Sequence, residues 1–336
     1  MSTSLQIAVV GAAGLVGQAV LELLAERNFP AARVFAVDGA EHDGATVSLG
    51  NLELDVHSVD TFNFENVGLA IFAAGGDMSR QYVPQARDAG AAVVDFSSAF
   101  RGDAGVPLVV PALNAAELEE LGRAPLVSVP NCTVTPLALA LAPLAPLGIA
   151  RVTVATYQAV SGSGQKAMEE MADQTTALFS QREAENHVYA KRIAFNVLPQ
   201  IGDVDDNGDS EEERSVRDET ARLLKLKPEQ LEVTCARVPV FFGHSWAIQV
   251  ELHEAFDLEQ VQTRLKAAGL QLVGRDKHGG YVTPMEATGN EGVWISRLRQ
   301  HGKVLSLWLS ADNVRAGAAI HCVRIAELLA GQSALM

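Results

Sequence analysis

Near its start the chain carries a short apolar run that leads directly into a turn with three glycines and then into a helical pattern. The run is residues 5–10, the turn is Gly11-Ala-Ala-Gly-Leu-Val-Gly17, and apolar residues recur at helical spacing up to Glu26. So continuous an apolar strand is typical of a parallel sheet buried on both faces. Glycines at such a turn let backbone N–H groups approach an anion at the helix N-terminus. This stretch therefore predicts the first unit of a dinucleotide-binding α/β domain, with a purely structural turn as the alternative.

The second predicted strand, Arg33–Val37, is followed by an acidic residue, Asp38. In dinucleotide-binding units an acidic side chain about 20 residues after the glycines accepts hydrogen bonds from the ribose of NAD. The same charge repels the 2′-phosphate of NADP, so Asp38 favours NAD. An ordinary turn residue before Gly39 is the alternative.

Two further buried strands are predicted at residues 67–73 and 91–95. Each is followed by a cluster of small or polar residues, at 74–76 and at 96–101. Because loops at the carboxyl ends of parallel strands line the ligand crevice of a doubly wound sheet, both clusters are expected there. Arg101 then becomes a candidate anion clamp, since guanidinium matches phosphate and carboxylate. A solvated surface arginine is the alternative.

After residue 150 the pattern changes from continuous apolar runs to alternation. Alternating, β-branched segments indicate strands with one buried face. They are found at residues 151–160, 232–240, 245–252 and 304–309. These segments predict an α+β domain with a largely antiparallel sheet, and a last helix is predicted from Ala316 to Gly331.

Cys132 lies between a strand pattern at residues 125–129 and an apolar helical pattern at residues 137–144. If the helix begins just after Cys132, the thiol lies near the positive end of the helix dipole, where the thiolate is favoured. That makes Cys132 a candidate nucleophile. A buried structural cysteine is the alternative, because most free cysteines are buried and inert.

Composition and charge exclude several other classes of protein. Cys132, Cys235 and Cys322 are far apart and show no ligand-like spacing, so neither a disulfide framework nor a metal site is expected. A net charge of −15 over 336 residues, without a basic stripe, argues against nucleic-acid binding. The two most apolar stretches, residues 5–11 and 137–150, lack the features of a signal peptide or a membrane span. We therefore expect a cytoplasmic protein with no nucleic-acid or membrane partner.

A series of motifs, in order along nearly the whole chain, resembles those of the aspartate-semialdehyde dehydrogenase family. The motifs are GAAGLVG (Gly11–Gly17), AAGGDMS (Ala73–Ser79), DFSSAFR (Asp95–Arg101), VPLVVPALN (Val106–Asn114), PNCT (Pro130–Thr133), TYQAVSGSG (Thr156–Gly164), RVPVFFGHS (Arg237–Ser245) and DNVRAGAA (Asp312–Ala319). Such a series is far more specific than one glycine turn. It favours Cys132 as a nucleophile over a structural cysteine.

The resemblance implies an α/β protein with a Rossmann-like parallel-sheet domain and an α+β catalytic and dimerisation domain. The first would comprise residues 1–130, completed by a C-terminal helix at 316–336, and the second residues 131–315. In this family an aldehyde adds to the cysteine thiolate, hydride leaves for the nicotinamide, and phosphate releases the thioester as an acyl phosphate. The resemblance thus implies a homodimer that uses NAD or NADP, with aspartate 4-semialdehyde and phosphate as small-molecule substrates.

The resemblance also assigns roles to individual residues. Cys132 would be the nucleophile, His244 the general acid/base, and Gln158 the group that orients the reacting carbonyl. The substrate-binding residues would be Arg101 for phosphate, Arg237 for the carboxylate, Glu212 for the amino group, and Asn131. The cofactor-binding residues would be Gly11, Ala13, Gly14, Leu15, Val16, Asp38, Gly75, Gly76, Ser161, Gly162 and Asn313. Imidazole titrates near neutrality and the charged side chains match substrate groups of opposite sign, so their chemistry agrees with these roles. For His244, a loop histidine with satisfied hydrogen bonds is the alternative.

The chain departs from the family pattern at three places. Ser215 stands where the family has a lysine that helps to bind phosphate, and Arg214 or Arg217 are the nearby candidates to replace it. Glu41-His42 stands where the family commonly has an Arg-Ser pair that reads the 2′-phosphate of NADP, which again favours NAD. After the nucleophile the chain reads Thr-Val-Thr-Pro136 instead of Ser-Thr-Ile-Gln.

These changes resemble the Usg-type paralogues, a divergent branch of the family. Two hypotheses follow: a working dehydrogenase, or a catalytically weak or inactive paralogue that acts as a dimeric binding or regulatory protein. Cys132, Gln158, Arg237 and His244 together favour the first, whereas Ser215 favours the second. An N-acetylglutamyl-type reductase matches the motifs less well.

Overall fold

The computed structural model describes residues 5–119, 121–274, 276 and 278–331. These residues pack into two compact units. The first consists of the described residues up to Asn131 together with those from Ala318 onward, and the second is Cys132–Gly317. Residues 1–4 of the predicted first domain and residues 332–336 of the predicted C-terminal helix lie outside the described residues.

The first unit is built on a mainly parallel sheet. Its strands are β1 (Gln6–Val10), β2 (Arg33–Asp38), β3 (Thr46–Leu49), β4 (Leu52–Ser58), β5 (Leu69–Phe72), β6 (Ala92–Asp95) and β7 (Leu126–Ser128). They are connected by segments that include helices α1 (Leu15–Glu26), α2 (Gly76–Asp88) and α3 (Pro111–Asn114). The strand order is β3-β4-β2-β1-β5-β6-β7, and β3 and β4 form an antiparallel hairpin while the other neighbours are parallel.

The second unit contains a mixed sheet. Its helices are α4 (Val134–Leu141), α5 (Gln165–Phe179), α6 (Glu211–Leu224), α7 (Leu258–Ala267) and α8 (Pro284–Ala287). Its strands are β8 (Ile149–Gln158), β9 (Leu231–Arg237), β10 (His244–Leu252), β11 (Gln271–Leu272), β12 (Val293–His301) and β13 (Val304–Ala311). In the order β11-β12-β13-β10-β8-β9 the two outermost pairs are parallel and the inner pairs are antiparallel.

The chain returns to the first unit through a π-helical turn, Arg315–Ala319, and helix α9 (Ile320–Gly331). Ile7 and Val9 of β1 lie on the face of the parallel sheet that packs with α1 and α9. Ala8 and Val10 lie on the opposite face and pack in the cluster that contains α2. Because both faces are covered, the four buried positions Ile7–Val10 are all apolar, which is why this part of the strand reads as a continuous run.

Helices α4, α6 and α7 cover one face of the mixed sheet. Val152 and Val154 of β8 and Trp246 of β10 pack there with α4, α6 and α7. On the other face, Tyr157 is exposed and its ring lies 5.3 Å from that of Trp308, centroid to centroid. The difference in burial between the two faces of β8 produces the alternating pattern from which the domain was predicted.

The predicted fold class is confirmed: a Rossmann-like, mostly parallel sheet and a second domain with a largely antiparallel sheet. The sequence patterns missed the β3–β4 hairpin and β12. In the part of the chain that the structure describes, no helix is long and apolar enough to cross a bilayer.

Candidate active site

The turn between β1 and α1 requires glycine at two positions. Gly11 has a φ of +85°, and a Cβ there would lie 2.8 Å from the carbonyl carbon of Ala73. A Cβ on Gly17 would lie 2.0 Å from the carbonyl oxygen of Gly11. Helix α1 begins at Leu15 after Gly14, so the first N–H groups of the helix have no partner within it. A tight turn and an open helix N-terminus fit the pyrophosphate of a dinucleotide.

Asp38, the last residue of β2, fastens this turn to the neighbouring strand. Its Oδ2 accepts a hydrogen bond of 2.8 Å from the N–H of Ala13, and its Oδ1 accepts one of 2.8 Å from the N–H of Gly39. The structure thus gives Asp38 a role in fixing the glycine turn. A carboxylate has about four lone-pair sites, so these bonds leave room for a ribose hydroxyl.

A second strand-to-helix turn follows β5. Gly75 precedes α2 and Gly76 is the first residue of that helix. A Cβ on Gly75 would meet no other atom within 4 Å, so the backbone there faces open space. This is the second place in the first unit where a ligand can approach the backbone closely.

Arg101 is held by backbone carbonyls of its own unit. Its Nε donates a hydrogen bond of 2.9 Å to the carbonyl oxygen of Val129, and its Nη2 donates to that of Phe96. Nearby, Asp95 is buried and accepts hydrogen bonds from the hydroxyls of Ser79 and Ser97. Burial raises the pKa of Asp95, although those hydrogen bonds lower it. The loop that carries Arg101 is therefore ordered by hydrogen bonds, and a fully solvated arginine is not what the structure shows.

The candidate nucleophile lies beside a histidine in the second unit. Cys132 is partly exposed, two residues before α4 begins at Val134. Its Sγ lies 3.8 Å from Nε2 of His244, the first residue of β10. By contrast, burial raises the pKa of Cys235 and raises that of Cys322 to about 12. An accessible thiol beside a histidine is the combination expected of a nucleophile.

His244 is fully buried and its tautomer is fixed by a backbone contact. The N–H of Ala159 donates a hydrogen bond of 3.1 Å to Nδ1 of His244. Because Nδ1 accepts, the proton of the neutral ring is on Nε2, which faces the Cys132 sulfur. Burial and the charge of Arg237 together lower the pKa of His244 well below its ordinary value, against a smaller opposing effect of the Gly243 backbone.

Arg237 is a buried cation at the end of β9. Only 4% of it is exposed, and its Nη1 donates a hydrogen bond of 2.8 Å to the carbonyl oxygen of Ala159. Its Nε has no hydrogen-bond partner among the described residues, and no ion pair of Arg237 occurs among them. A Cβ on Gly162 would lie 2.8 Å from its Nη1, so a side chain at position 162 would displace the guanidinium. A buried charge without a counter-ion is costly unless an anionic ligand binds it.

Gln158 and Glu212 belong to one hydrogen-bond network. Nε2 of Gln158 donates to Oγ1 of Thr156 at 3.2 Å and to Oε1 of Glu212 at 3.0 Å. The same Oε1 accepts a hydrogen bond of 2.9 Å from the hydroxyl of Thr133. Because a carboxylate only accepts, Glu212 fixes which end of the Gln158 amide points toward it. Glu212 thereby connects Gln158 to the residue that follows the nucleophile.

Two predicted cofactor residues contact each other. Nδ2 of Asn313 donates a hydrogen bond of 3.0 Å to the hydroxyl of Ser161. Oδ1 of Asn313 accepts one of 2.9 Å from the N–H of Gly243, the residue before His244. Asn313 and Ser161 therefore also hold the turn that presents the histidine.

The side chains at and near position 215, where the resemblance predicted a phosphate-binding lysine, already have partners. The hydroxyl of Ser215 donates to Glu219 on the same helix. Nη1 of Arg214 lies 3.3 Å from Asp205, and Nη1 of Arg217 forms an ion pair with Asp209. Both arginines are thus paired with the acidic loop before α6.

The fold brings five of the predicted residues to one region of the second unit: Cys132, Gln158, Glu212, Arg237 and His244. Arg101, Asn131, Gly75 and the glycine turn belong to the first unit. Sequence reasoning missed Thr133 and Ala159. Ala159 acts through its backbone, which leaves no sequence signal, whereas Thr133 could have been found from its place next to the nucleophile.

Comparison with known families decides what kind of protein this is. A model of the "Semialdehyde dehydrogenase, NAD binding domain" matches residues 6–121, and one of the "Semialdehyde dehydrogenase, dimerisation domain" matches residues 141–316. The chain belongs to the semialdehyde dehydrogenase family. The family predicted from the sequence motifs is thus confirmed.

Among its relatives in this family, an aspartate-semialdehyde dehydrogenase of Rickettsia conorii is 37% identical over 334 residues, 98% of each chain. One of Legionella pneumophila is 39% identical over 98% of this chain and 96% of its own. A crystal structure of aspartate semialdehyde dehydrogenase II from Vibrio cholerae, complexed with ASA, has a TM-score of 0.92 and 37% identity, and the match covers 99% of this chain and 100% of that one.

Proposed function

We propose that this chain is a phosphorylating aldehyde dehydrogenase that interconverts aspartate 4-semialdehyde and 4-aspartyl phosphate with NAD or NADP. The observation that carries the substrate assignment is the buried Arg237 beside the Cys132–His244 pair. A cysteine nucleophile suits an aldehyde, and a buried guanidinium with no ion pair among the described residues suits a substrate that carries a carboxylate. The names of the relatives support the same substrate.

Cys132 carries the covalent chemistry of this proposal. The thiol proton of the partly exposed Cys132 passes to solvent. Addition of the thiolate sulfur to the aldehyde carbon then forms a C–S bond, and the electron pair of the C=O double bond moves to the carbonyl oxygen. The Nε2–H of His244, which faces the sulfur, can stabilise both the thiolate and that oxygen by donating a hydrogen bond. A bound dinucleotide supplies the acceptor for the hydride, so that the adduct becomes a thioester. A phosphate oxygen then attacks the acyl carbon, the C–S bond breaks, and the thiolate returns.

The tautomer of His244 limits what it can do in the resting site. An imidazolium would direct an Nδ1–H toward the N–H of Ala159, so two donors would face each other. Burial and Arg237 oppose the charged ring as well. These contacts support the acid half of the acid/base role predicted for His244, and they oppose the formation of a Cys⁻/His⁺ ion pair at rest.

The remaining substrate contacts are proposed for neighbouring side chains. Arg237 would bind the carboxylate and Glu212 the amino group. Gln158 directs its amide hydrogens to Thr156 and Glu212, so its oxygen is the atom that can meet a ligand without rearrangement. Arg101 and Asn131 are proposed for phosphate and substrate. Arg214 and Arg217 are tied to carboxylates, so the proposal gives them no contact with phosphate.

The experiment is a turnover assay with purified protein, aspartate 4-semialdehyde, phosphate and each dinucleotide, followed by absorbance of the reduced cofactor. We expect turnover that depends on phosphate or arsenate, and none with propanal, which has no carboxylate for Arg237. Cys132→Ala should abolish turnover, whereas Cys322→Ala, at a buried cysteine of the other unit, should retain it. Absence of turnover with both dinucleotides under saturating phosphate would reject this function and favour the inactive-paralogue alternative.

The wider assignments belong to the same proposal. The match to a dimerisation domain supports a homodimer. We also propose the domain boundaries at 1–130 with 316–336 and at 131–315, a cytoplasmic location, and a place in the Usg-type branch. The location is supported by cysteines that are all present as thiols.

A further inference from the structure

The end of β2 lies where a doubly wound fold receives the adenosine ribose of a dinucleotide. β1 and β2 are parallel, with Val10 opposite Val37, so both strands end at the same edge of the sheet. The N–H groups of Gly11 and Ala12 donate to the carbonyl oxygen of Val37, which brings the glycine turn to this strand end. A dinucleotide bound in this way would bring the 2′-position of its ribose to the residues that follow Val37.

Asp38 presents a fixed negative charge at this point. It is 7% exposed, and both of its oxygens accept backbone hydrogen bonds, from Ala13 and from Gly39. A carboxylate held in this way cannot turn away from a ligand without giving up bonds that shape the glycine turn. Its charge is thus part of the site.

Glu41 places a second carboxylate next to Gly39, the residue that donates its N–H to Asp38. A Cβ on Gly39 would lie 2.4 Å from Oε2 and 2.7 Å from Oε1 of Glu41. The Glu41 carboxylate therefore occupies the space beside Gly39 that a side chain would otherwise fill. Since Gly39 also donates its N–H to Asp38, both carboxylates lie next to the same glycine.

No cationic side chain of the surrounding sequence offsets these charges. The sequence has no lysine or arginine between Arg33 and Arg80, a stretch that contains β3, β4 and β5. His42 is the basic neighbour, but its Nδ1 lies 3.4 Å from Oδ1 of Asp38. A 2′-phosphate is a phosphomonoester with about −1.5 to −2 charges at neutral pH, and dinucleotide sites that accept it place an arginine nearby.

We propose that Asp38 and Glu41 together exclude the 2′-phosphate, so that this chain binds NAD in preference to NADP, with Glu41 as the residue that sets the preference. A ribose hydroxyl meets acceptors in the same place and is compatible with both carboxylates. The inference rests on the proposed function only in requiring a nicotinamide dinucleotide.

The test is calorimetric titration of the purified protein with NAD and with NADP, without substrate and at low ionic strength. For the wild type we expect NAD to bind at least about tenfold more tightly, which corresponds to about 1.4 kcal/mol. Glu41→Gln should strengthen NADP binding and so lower the ratio of the NAD affinity to the NADP affinity at least about threefold. Glu41→Arg should make the NADP affinity equal to or higher than the NAD affinity. Raising the salt concentration should also narrow the wild-type ratio.

Glu53→Gln is the matched control, because it removes the same charge from an exposed position of β4. It should leave the ratio unchanged. Equal or tighter binding of NADP by the wild type, an unchanged ratio in Glu41→Gln, or binding of neither dinucleotide would overturn the inference. If the binding ratio is as expected but aspartate 4-semialdehyde is not turned over, the proposed function fails and the cofactor preference stands.

Discussion

The backbone of Ala159 holds two of the site's side chains at once. Its N–H donates to Nδ1 of His244 and its carbonyl oxygen accepts from Arg237. Ala159 follows the last residue of β8, and Gln158 pairs with Arg237 in the register of β8 and β9. The strand end thus fixes the histidine tautomer and the position of the cation through groups that every residue carries. Substitutions of His244 and Arg237 separate these two roles.

Histidine 244 should make stability depend on pH. Since its pKa is lowered in the folded protein, the unfolded chain takes up a proton near pH 6.5 that the folded chain does not. Stability should therefore fall as the pH falls below about 6.5, by up to about 1.4 kcal/mol per pH unit from this group. Urea unfolding at pH 7.5 and at pH 5.5 should show that the free energy of unfolding of His244→Gln falls less between these two pH values than that of the wild type. His301→Gln, at an exposed histidine, should behave as the wild type, and equal declines in all three proteins would refute the assignment.

Arg237 should lower the free energy of unfolding and strengthen the binding of the substrate. Arg237→Met removes a buried charge that has no counter-ion among the described residues, so the free energy of unfolding should stay equal or rise. Substrate binding should lose about 2–5 kcal/mol, seen mainly as a higher KM. Arg151→Met, at an exposed arginine paired with Glu232, should change neither. A strongly destabilised Arg237→Met variant with an unchanged KM would show that the arginine is structural.

At the level of elements, glycines in the two strand-to-helix turns of the first unit distinguish a role in folding from a role in binding. A Cβ on Gly17 would lie 2.0 Å from the carbonyl oxygen of Gly11, whereas a Cβ on Gly75 would meet no other atom within 4 Å. Gly17→Ala should therefore lower the thermal midpoint and dinucleotide affinity together. Gly75→Ala should keep the thermal midpoint of the free protein and lose affinity, because its methyl group occupies the proposed ligand space. Unchanged dinucleotide affinity in Gly75→Ala would remove that turn from the cofactor site.

The elements that sequence patterns predicted are those with strong periodicity. The continuous run of β1 and the alternation of β8 and β10 each reflect how many faces are buried, and both patterns were interpreted correctly. The β3–β4 hairpin was missed because β3 has only 4 residues and β4 is exposed at several positions. Periodicity is weak over so few residues.

The side-chain network of the site was beyond sequence reasoning for a different reason. Motifs named Gln158 and Glu212 as separate ligand contacts, but their shared bond through Oε1 depends on α6 packing beside the end of β8. The same holds for Glu41, whose place over Gly39 follows from a single 3₁₀ turn, Ala40–His42. Local patterns do not encode such long-range or side-chain geometry.

At the level of the molecule, we propose the face of the mixed sheet opposite α4, α6 and α7 as the dimer surface. It belongs to the region that matches a dimerisation domain, and it exposes Tyr157 next to Trp308. Sedimentation should show a dimer for the wild type, and Trp308→Arg should shift it toward monomer. Leu52→Arg, at an apolar residue of the first unit that is 63% exposed, should remain dimeric. A monomeric wild type, or a Trp308→Arg variant as dimeric as the wild type, would contradict this surface.

The two units carry different parts of the proposed chemistry. The dinucleotide turn is in the first, whereas Cys132, His244 and Arg237 are in the second. The central claim is that the second unit forms a thioester on Cys132, which is partly exposed while Cys235 and Cys322 are buried with raised pKa values.

The most direct test is peptide mass spectrometry after an acid quench of protein incubated with aspartate 4-semialdehyde and NAD in the absence of phosphate. We expect an aspartyl adduct on the peptide that contains Cys132, absent from Cys132→Ala and removed by added phosphate. Formation of NADH while Cys132 stays unmodified, or an adduct that phosphate does not release, would contradict the account.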